Sequence, residues 1–162
     1  MIGSHQAGDD PRQANIDLMN RYAHALDVRD WEMFASLFTE DAEFRARQYL
    51  EDAVPGEDFL VQSGRETIVS SIRTIWDGLS ATHHMLSNYV VELSGDGQSA
   101  ETSCYLRAHH VGNRERSHLF EESLGRFDFG TVLQDGAWRI REMHENIFII
   151  LGTEEAFAPP PP

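Results

Sequence analysis

The apolar spacing changes rhythm part-way along this chain, and that change constrains the fold more than any other feature. It is helical up to about residue 80 and strand-like beyond it. Upstream, Ile16, Met19, Tyr22, Ala23 and Leu26 recur at three- and four-residue steps, which predicts an amphipathic helix ending near Asp27. Asp30 is placed to cap a second short helix, Trp31 to Phe38. Ala42 to Arg47 reads as a short strand and residues 48–62, with Pro55-Gly56, as a loop. Ser63-Gly-Arg-Glu66 has the form of a capping box opening a third helix, with Ile68, Ile72, Ile75, Trp76 and Leu79 inward and a stop near Gly78.

Downstream, Thr82 to Leu93 and Ser99 to Val111 are rich in strand formers and separated by the turn signal Gly95-Asp96-Gly97. Gly112-Asn113 turns the chain again. Leu119 to Leu133 is long enough to need a bulge or bend at Gly125 or Gly130. Asp135-Gly136 then leads into a last strand, Ala137 to Leu151. Helices followed by an antiparallel meander mean an α+β fold. A long, bent sheet wrapped around helices encloses an apolar pocket. On this reading residues 1–12 are a flexible arm, 13–151 the domain, and 152–162 a proline-rich tail that cannot continue a helix or a central strand.

At 162 residues the chain suits one domain. A formal charge of −14 and scattered lysines and arginines argue against nucleic-acid or anionic-membrane partners. No apolar run approaches the length of a membrane span, and the first residues are polar. A single cysteine, Cys104, rules out an intrachain disulfide and fits a cytoplasmic location. Phosphate-cradling and dinucleotide-binding glycine motifs are absent, and Ser63, Ser80 and Ser117 lack a nucleophile-elbow frame. His83-His84 and His109-His110 are adjacent on strands, so each pair splits across the two faces and cannot chelate one ion. Neither a metal nor a cofactor is expected. Glu121-Glu122 reads as a pair of solvated charges.

Several motifs carry a resemblance: Tyr22-Ala-His-Ala-Leu-Asp27, Asp30-Trp31-Glu32, Phe38-Thr-Glu-Asp41-Ala42, Thr82-His83-His84 with Asn88, and Gly136-Ala-Trp138-Arg139-Ile140. Together they resemble the SnoaL-like branch of the superfamily of nuclear transport factor two, scytalone dehydratase and ketosteroid isomerase. The resemblance implies a cone-shaped α+β barrel, with N-terminal helices packed into a strongly curved, mostly antiparallel sheet around the pocket. In its key residues the chain is most similar to bile-acid 7α-dehydratase, hexachlorocyclohexane dehydrochlorinase and scytalone dehydratase. By that similarity Asp27 and His84 form a catalytic dyad and Tyr22 donates to a substrate oxygen. Ala108 stands where the bile-acid enzyme has a second acid, and His110, on the same strand face, could serve instead. His144, Trp31 and Asn88 complete the candidate substrate contacts.

A carboxylate that orients an imidazole makes a base suited to neutral pH. The function implied is a cofactor-independent lyase, a dehydratase or dehydrohalogenase, that takes a proton from a small hydrophobic cyclic substrate. Isomerase or cyclase chemistry in the same pocket, a noncatalytic dioxygenase subunit and a small-molecule binding module are the alternatives. Met85, Tyr89 and Val91 should lie on the outer sheet face, opposite His84, where an apolar patch implies a homodimer or homotrimer.

Overall fold

The computed structural model describes residues 10–49 and 54–158. The first helix, α1 (Pro11–Val28), starts at Asp10, whose side chain accepts from the Arg12 N–H, and stops at Arg29 in the left-handed conformation. Asp30 caps α2 (Trp31–Ser36) by accepting from the Met33 N–H at 2.9 Å. The chain continues through β1 (Phe38–Tyr49), β2 (Pro55–Ser63), α3 (Arg65–Trp76), β3 (Leu79–Leu93), β4 (Ser99–Gly112), β5 (Phe120–Gln134) and β6 (Ala137–Gly152). Single 3-10 turns occupy Arg114–Arg116 and Glu154–Phe157.

The six strands form one sheet in the order β2-β1-β6-β5-β4-β3, parallel only between β1 and β6. It curls around the helices but does not close, because the outermost strands β2 and β3 are not paired with each other. The α+β class and the curled, mostly antiparallel sheet are therefore as expected, and the barrel is an open one. Helix α1 packs chiefly on β3, and α3 on β1. The core between them is strongly aromatic: Tyr22 lies 5.4–6.3 Å, ring centre to ring centre, from Phe34, Phe38, Phe127 and Phe129.

Local departures have local causes. The expected loop 48–62 contains a strand, β2, hydrogen-bonded to a β1 longer than expected. The expected capping box does not form, since Ser63 ends β2 and Gly64, at φ +88°, is the cap without a side-chain bond. Register shifts occur at both Gly125 and Gly130. At Gly125 a Cβ would sit 2.0 Å from the Asn146 carbonyl oxygen, so only glycine allows β5 and β6 to approach there. A further bulge between Ser87 and Val90 places Asn88 at φ +56°. It reverses the alternation along β3: Met85 and Val90 are exposed, Val91 is buried, and Tyr89 packs against the core and donates to Asn20 Oδ1. Of the three residues expected on the outer face, only Met85 lies there.

Candidate active site

The end of α1 is fastened to the start of β3, where Arg29 donates to the Leu79 carbonyl at 2.6 Å. This brings Asp27 alongside Thr82 and His84. The Asp27 carboxylate, at a helix C-terminus where negative charge is disfavoured, is held by three hydrogen bonds. Thr82 Oγ1 and His84 Nδ1 meet its Oδ1 at 2.9 and 2.7 Å, and the His84 backbone N–H donates to Oδ2 at 2.9 Å. Burial raises the Asp27 carboxyl, but the bonds from the His84 ring and backbone, and then from Thr82, outweigh it and leave the group below its ordinary value. Burial lowers His84 more than Asp27 raises it, and His110 and His83 add to the lowering. The resting pair is thus an ionised carboxylate and a neutral imidazole. Asp27 accepts from Nδ1–H, which leaves Nε2 with a free lone pair.

Trp76, from the last turn of α3, stacks on the His84 ring at 5.9 Å and 15°. A second imidazole stands edge-on: the His84 and His110 ring centres are 5.5 Å apart at 75°. His110 is buried and has its own carboxylate, with Nδ1 to Glu121 Oε2 at 2.7 Å, while Ser123 donates to the other Glu121 oxygen. Glu121 is 3% and Glu122 7% exposed, so neither acid is the solvated charge expected, and Glu121 faces the cavity. Its neighbour Glu122, on the other strand face, binds Arg107 and His109.

Both dyads open on a cavity of about 740 Å³. Leu26, Phe44, Leu60, Ile72 and Phe127 supply apolar wall, and Tyr22, His84, His110, Glu121 and Glu145 supply polar atoms. Tyr22 stays a phenol: burial, then the Glu145 charge and Cys104, hold it well above its ordinary value. Residues assigned from sequence to the tail take part as well. Ala156 is buried and Phe157 packs on His110 at 4.9 Å.

Three expected contacts lie elsewhere. Asn88 is exposed at the β3 bulge, and Trp31 packs against Phe34 outside the cavity lining. His144 is paired across the sheet with Arg45 and Asp128, and strand alternation turns the next residue, Glu145, into the cavity instead. Glu121, Ser123, Trp76 and Glu145 were missed by sequence reasoning. Plain alternation back from the buried Phe129 and Phe127 through Gly125 and Ser123 is the signal that could have found Glu121. Among the described residues no group of three or more His, Cys, Asp or Glu side chains is arranged to hold a metal ion. Among the described residues no helix is long and apolar enough to cross a membrane.

The chain belongs to the SnoaL-like domain family, whose model matches residues 12–144. No curated protein is significantly similar to it in sequence. Its fold matches solved structures over nearly the whole length. A protein of Novosphingobium aromaticivorans provisionally described as an aromatic ring hydroxylase is 25% identical, with a TM-score of 0.73 over 91% of this chain and 96% of that one. A provisional scytalone dehydratase of the same organism is 22% identical, with a TM-score of 0.73 and 91% of each chain covered. A hexachlorocyclohexane dehydrochlorinase of Novosphingobium barchaimii is 15% identical, with a TM-score of 0.71 over 93% of this chain and 94% of that one.

Proposed function

We propose that this SnoaL-like domain is a lyase that carries out β-elimination, dehydration or dehydrohalogenation, on a small hydrophobic cyclic molecule. One observation carries the reading: a neutral, buried imidazole held by an ionised carboxylate in the wall of a largely apolar cavity. The dehydratase and dehydrochlorinase among the similar structures favour elimination over other uses of the fold.

In the proposed step His84 Nε2 takes a proton from a carbon beside an activating group. The C–H electron pair forms the C=C bond, and the bond from the adjacent carbon to its hydroxyl or halide breaks. Asp27 stabilises the imidazolium, a contribution on the order of 10²–10⁴-fold in rate for a positioned base. His110, steadied by Glu121, or the phenol of Tyr22 gives the departing hydroxide its proton, so that water leaves. With no leaving group on the adjacent carbon, the same base returns the proton elsewhere and the outcome is isomerisation.

A panel of β-hydroxy and β-halo cyclic ketones tests the assignment, with the conjugated product followed by its ultraviolet absorbance. Turnover by the wild type, lost in His84→Ala at an almost unchanged melting temperature, is the expected result. Undiminished turnover in His84→Ala rules out the base, and ligands that bind but emerge unchanged point to a binding module.

A further inference from the structure

Glu145 is a cavity residue that the elimination step does not use. Strand register fixes its place: it sits between Ala46 on β1 and Phe127 on β5, and all three side chains line the cavity. Ala46 is small and Phe127 apolar, so neither flank offers a partner. Among the described residues Glu145 makes no hydrogen bond or ion pair. The other ionisable groups lining the space are Tyr22 from α1, His84 from β3, His110 from β4, Glu121 from β5 and Glu154 from the C-terminal turn. No lysine or arginine among the described residues lines it.

An ionised carboxylate in such a place has no protein partner and only the water that the cavity admits, which becomes costly when a mostly apolar ligand displaces that water. Glu121 has hydrogen-bond partners in His110 and Ser123. Glu145 has no such support, and the Glu121 charge acts on it with the same sign. Burial, and then Glu121, push the Glu145 carboxyl up to about 7.

We propose that Glu145 is the ligand-anchoring acid of this pocket: it enters binding as a neutral carboxyl and donates its proton in a hydrogen bond to an oxygen acceptor of an uncharged, mostly apolar ligand. The pocket then accepts ketones, quinones or esters and rejects carboxylates, which would meet three acids, Glu121, Glu145 and Glu154, and no lysine or arginine among the described residues. This deepens the lyase reading by naming the substrate class. A carbonyl held in this way is also the group that acidifies the neighbouring C–H for His84.

Two measurements test it. Infrared difference spectra across a pH titration should show the carbonyl band of a protonated carboxyl that fades as pH rises through about 7 and is missing in Glu145→Gln. Calorimetric binding should compare three probes of similar shape: 1-tetralone, the parent hydrocarbon tetralin, and 2-naphthoate. At pH 6 tetralone should bind about tenfold tighter than tetralin, the worth of one net hydrogen bond, and naphthoate weakest of all. Raising the pH to 8.5 should erase the tetralone advantage in the wild type. Glu145→Gln, whose amide still donates, should keep it at both pH values, and Glu145→Leu should lack it at both. The absence of the band overturns the proposal, as does tetralone binding no tighter than tetralin, or naphthoate binding as tightly as tetralone. Failure here is separable from failure of the base, because His84→Ala should retain the tetralone preference while losing elimination.

Discussion

The Asp27–His84 contact couples two titrations that favour opposite charge states. His84 loses its proton below the usual histidine range because burial outweighs its carboxylate partner. A base of this kind works only when neutral, so kcat/KM should rise with pH along an acid limb whose midpoint lies below 6.5, then fall as pH passes about 7 and Glu145 loses the proton that anchors the carbonyl. Asp27→Asn removes the bond and the charge that hold His84 up, so the limb should move to lower pH, while kcat falls on the order of 10²–10⁴-fold through loss of the tautomer. A pH–rate profile of both proteins checks this, and an unchanged midpoint in the variant denies the coupling. Stability follows the same signs. Below pH 6.5 the unfolded chain binds a proton that folded His84 resists, so this residue makes folding less favourable as the medium acidifies. Glu145 acts oppositely. Its folded value, about 7, lies above the unfolded one, so the folded state holds the extra proton between the two and loses stability as pH rises through that window. The melting temperature of Glu145→Gln should therefore rise more, or fall less, from pH 5 to pH 8 than that of the wild type.

Strand irregularities aim these side chains. The bulge around Asn88 lets β3 present Thr82 and His84 inward near its start and Val91 inward near its end. At Gly125 the extra residue is Phe148 of β6, so β5 alternates without a break and keeps Ser123 and Phe127 on one face, while β6 changes face between Ile147 and Ile150. Gly125→Ala would drive a methyl group into the Asn146 backbone, which cannot swing aside as a side chain can. A cost of about 1–3 kcal/mol is expected, enough to lower the melting temperature by several degrees in a domain of this size. Thermal unfolding tests it, and a wild-type melting point would mean that β5 and β6 separate more easily than their spacing suggests. The C-terminal turn also walls the cavity: Phe157 packs on His110, so a chain ending before Thr153 should lose ligand affinity as well as the Ala156 packing.

Viewed whole, the molecule has two unlike faces. Inside are the cavity and its dyads. Outside, Met85, Tyr105, Phe148, Ile149 and Leu151 are each about half exposed, and several of them line a shallow groove on the sheet. Apolar exposure on this scale is unusual for a monomer. We propose that a second copy of the chain covers it. The mass in solution, by light scattering, should be a small multiple of 18.4 kDa, and Ile149→Glu should reduce it to a single chain. A wild type that runs as a monomer at micromolar concentration would falsify this.

Periodicity alone determined the α+β class, the order of the helices and the three long hairpins, because both signals are local: apolar spacing records which face is buried, and glycine-containing turns record where the chain reverses. Motif resemblance pointed to Asp27, His84 and Tyr22, because each stands in a short recognisable frame, and the strand face shared with Ala108 added His110. Tertiary structure decided which side of each strand faces the pocket. A strand alternates every residue, so one bulge or a one-residue miscount exchanges inside for outside. That is why His144 gave way to Glu145, why Val91 went inward and Val90 outward, and why Glu121, read as a solvated charge, is the buried partner of His110. Strand pairing between distant segments sets those registers, and nothing local in the sequence reports them.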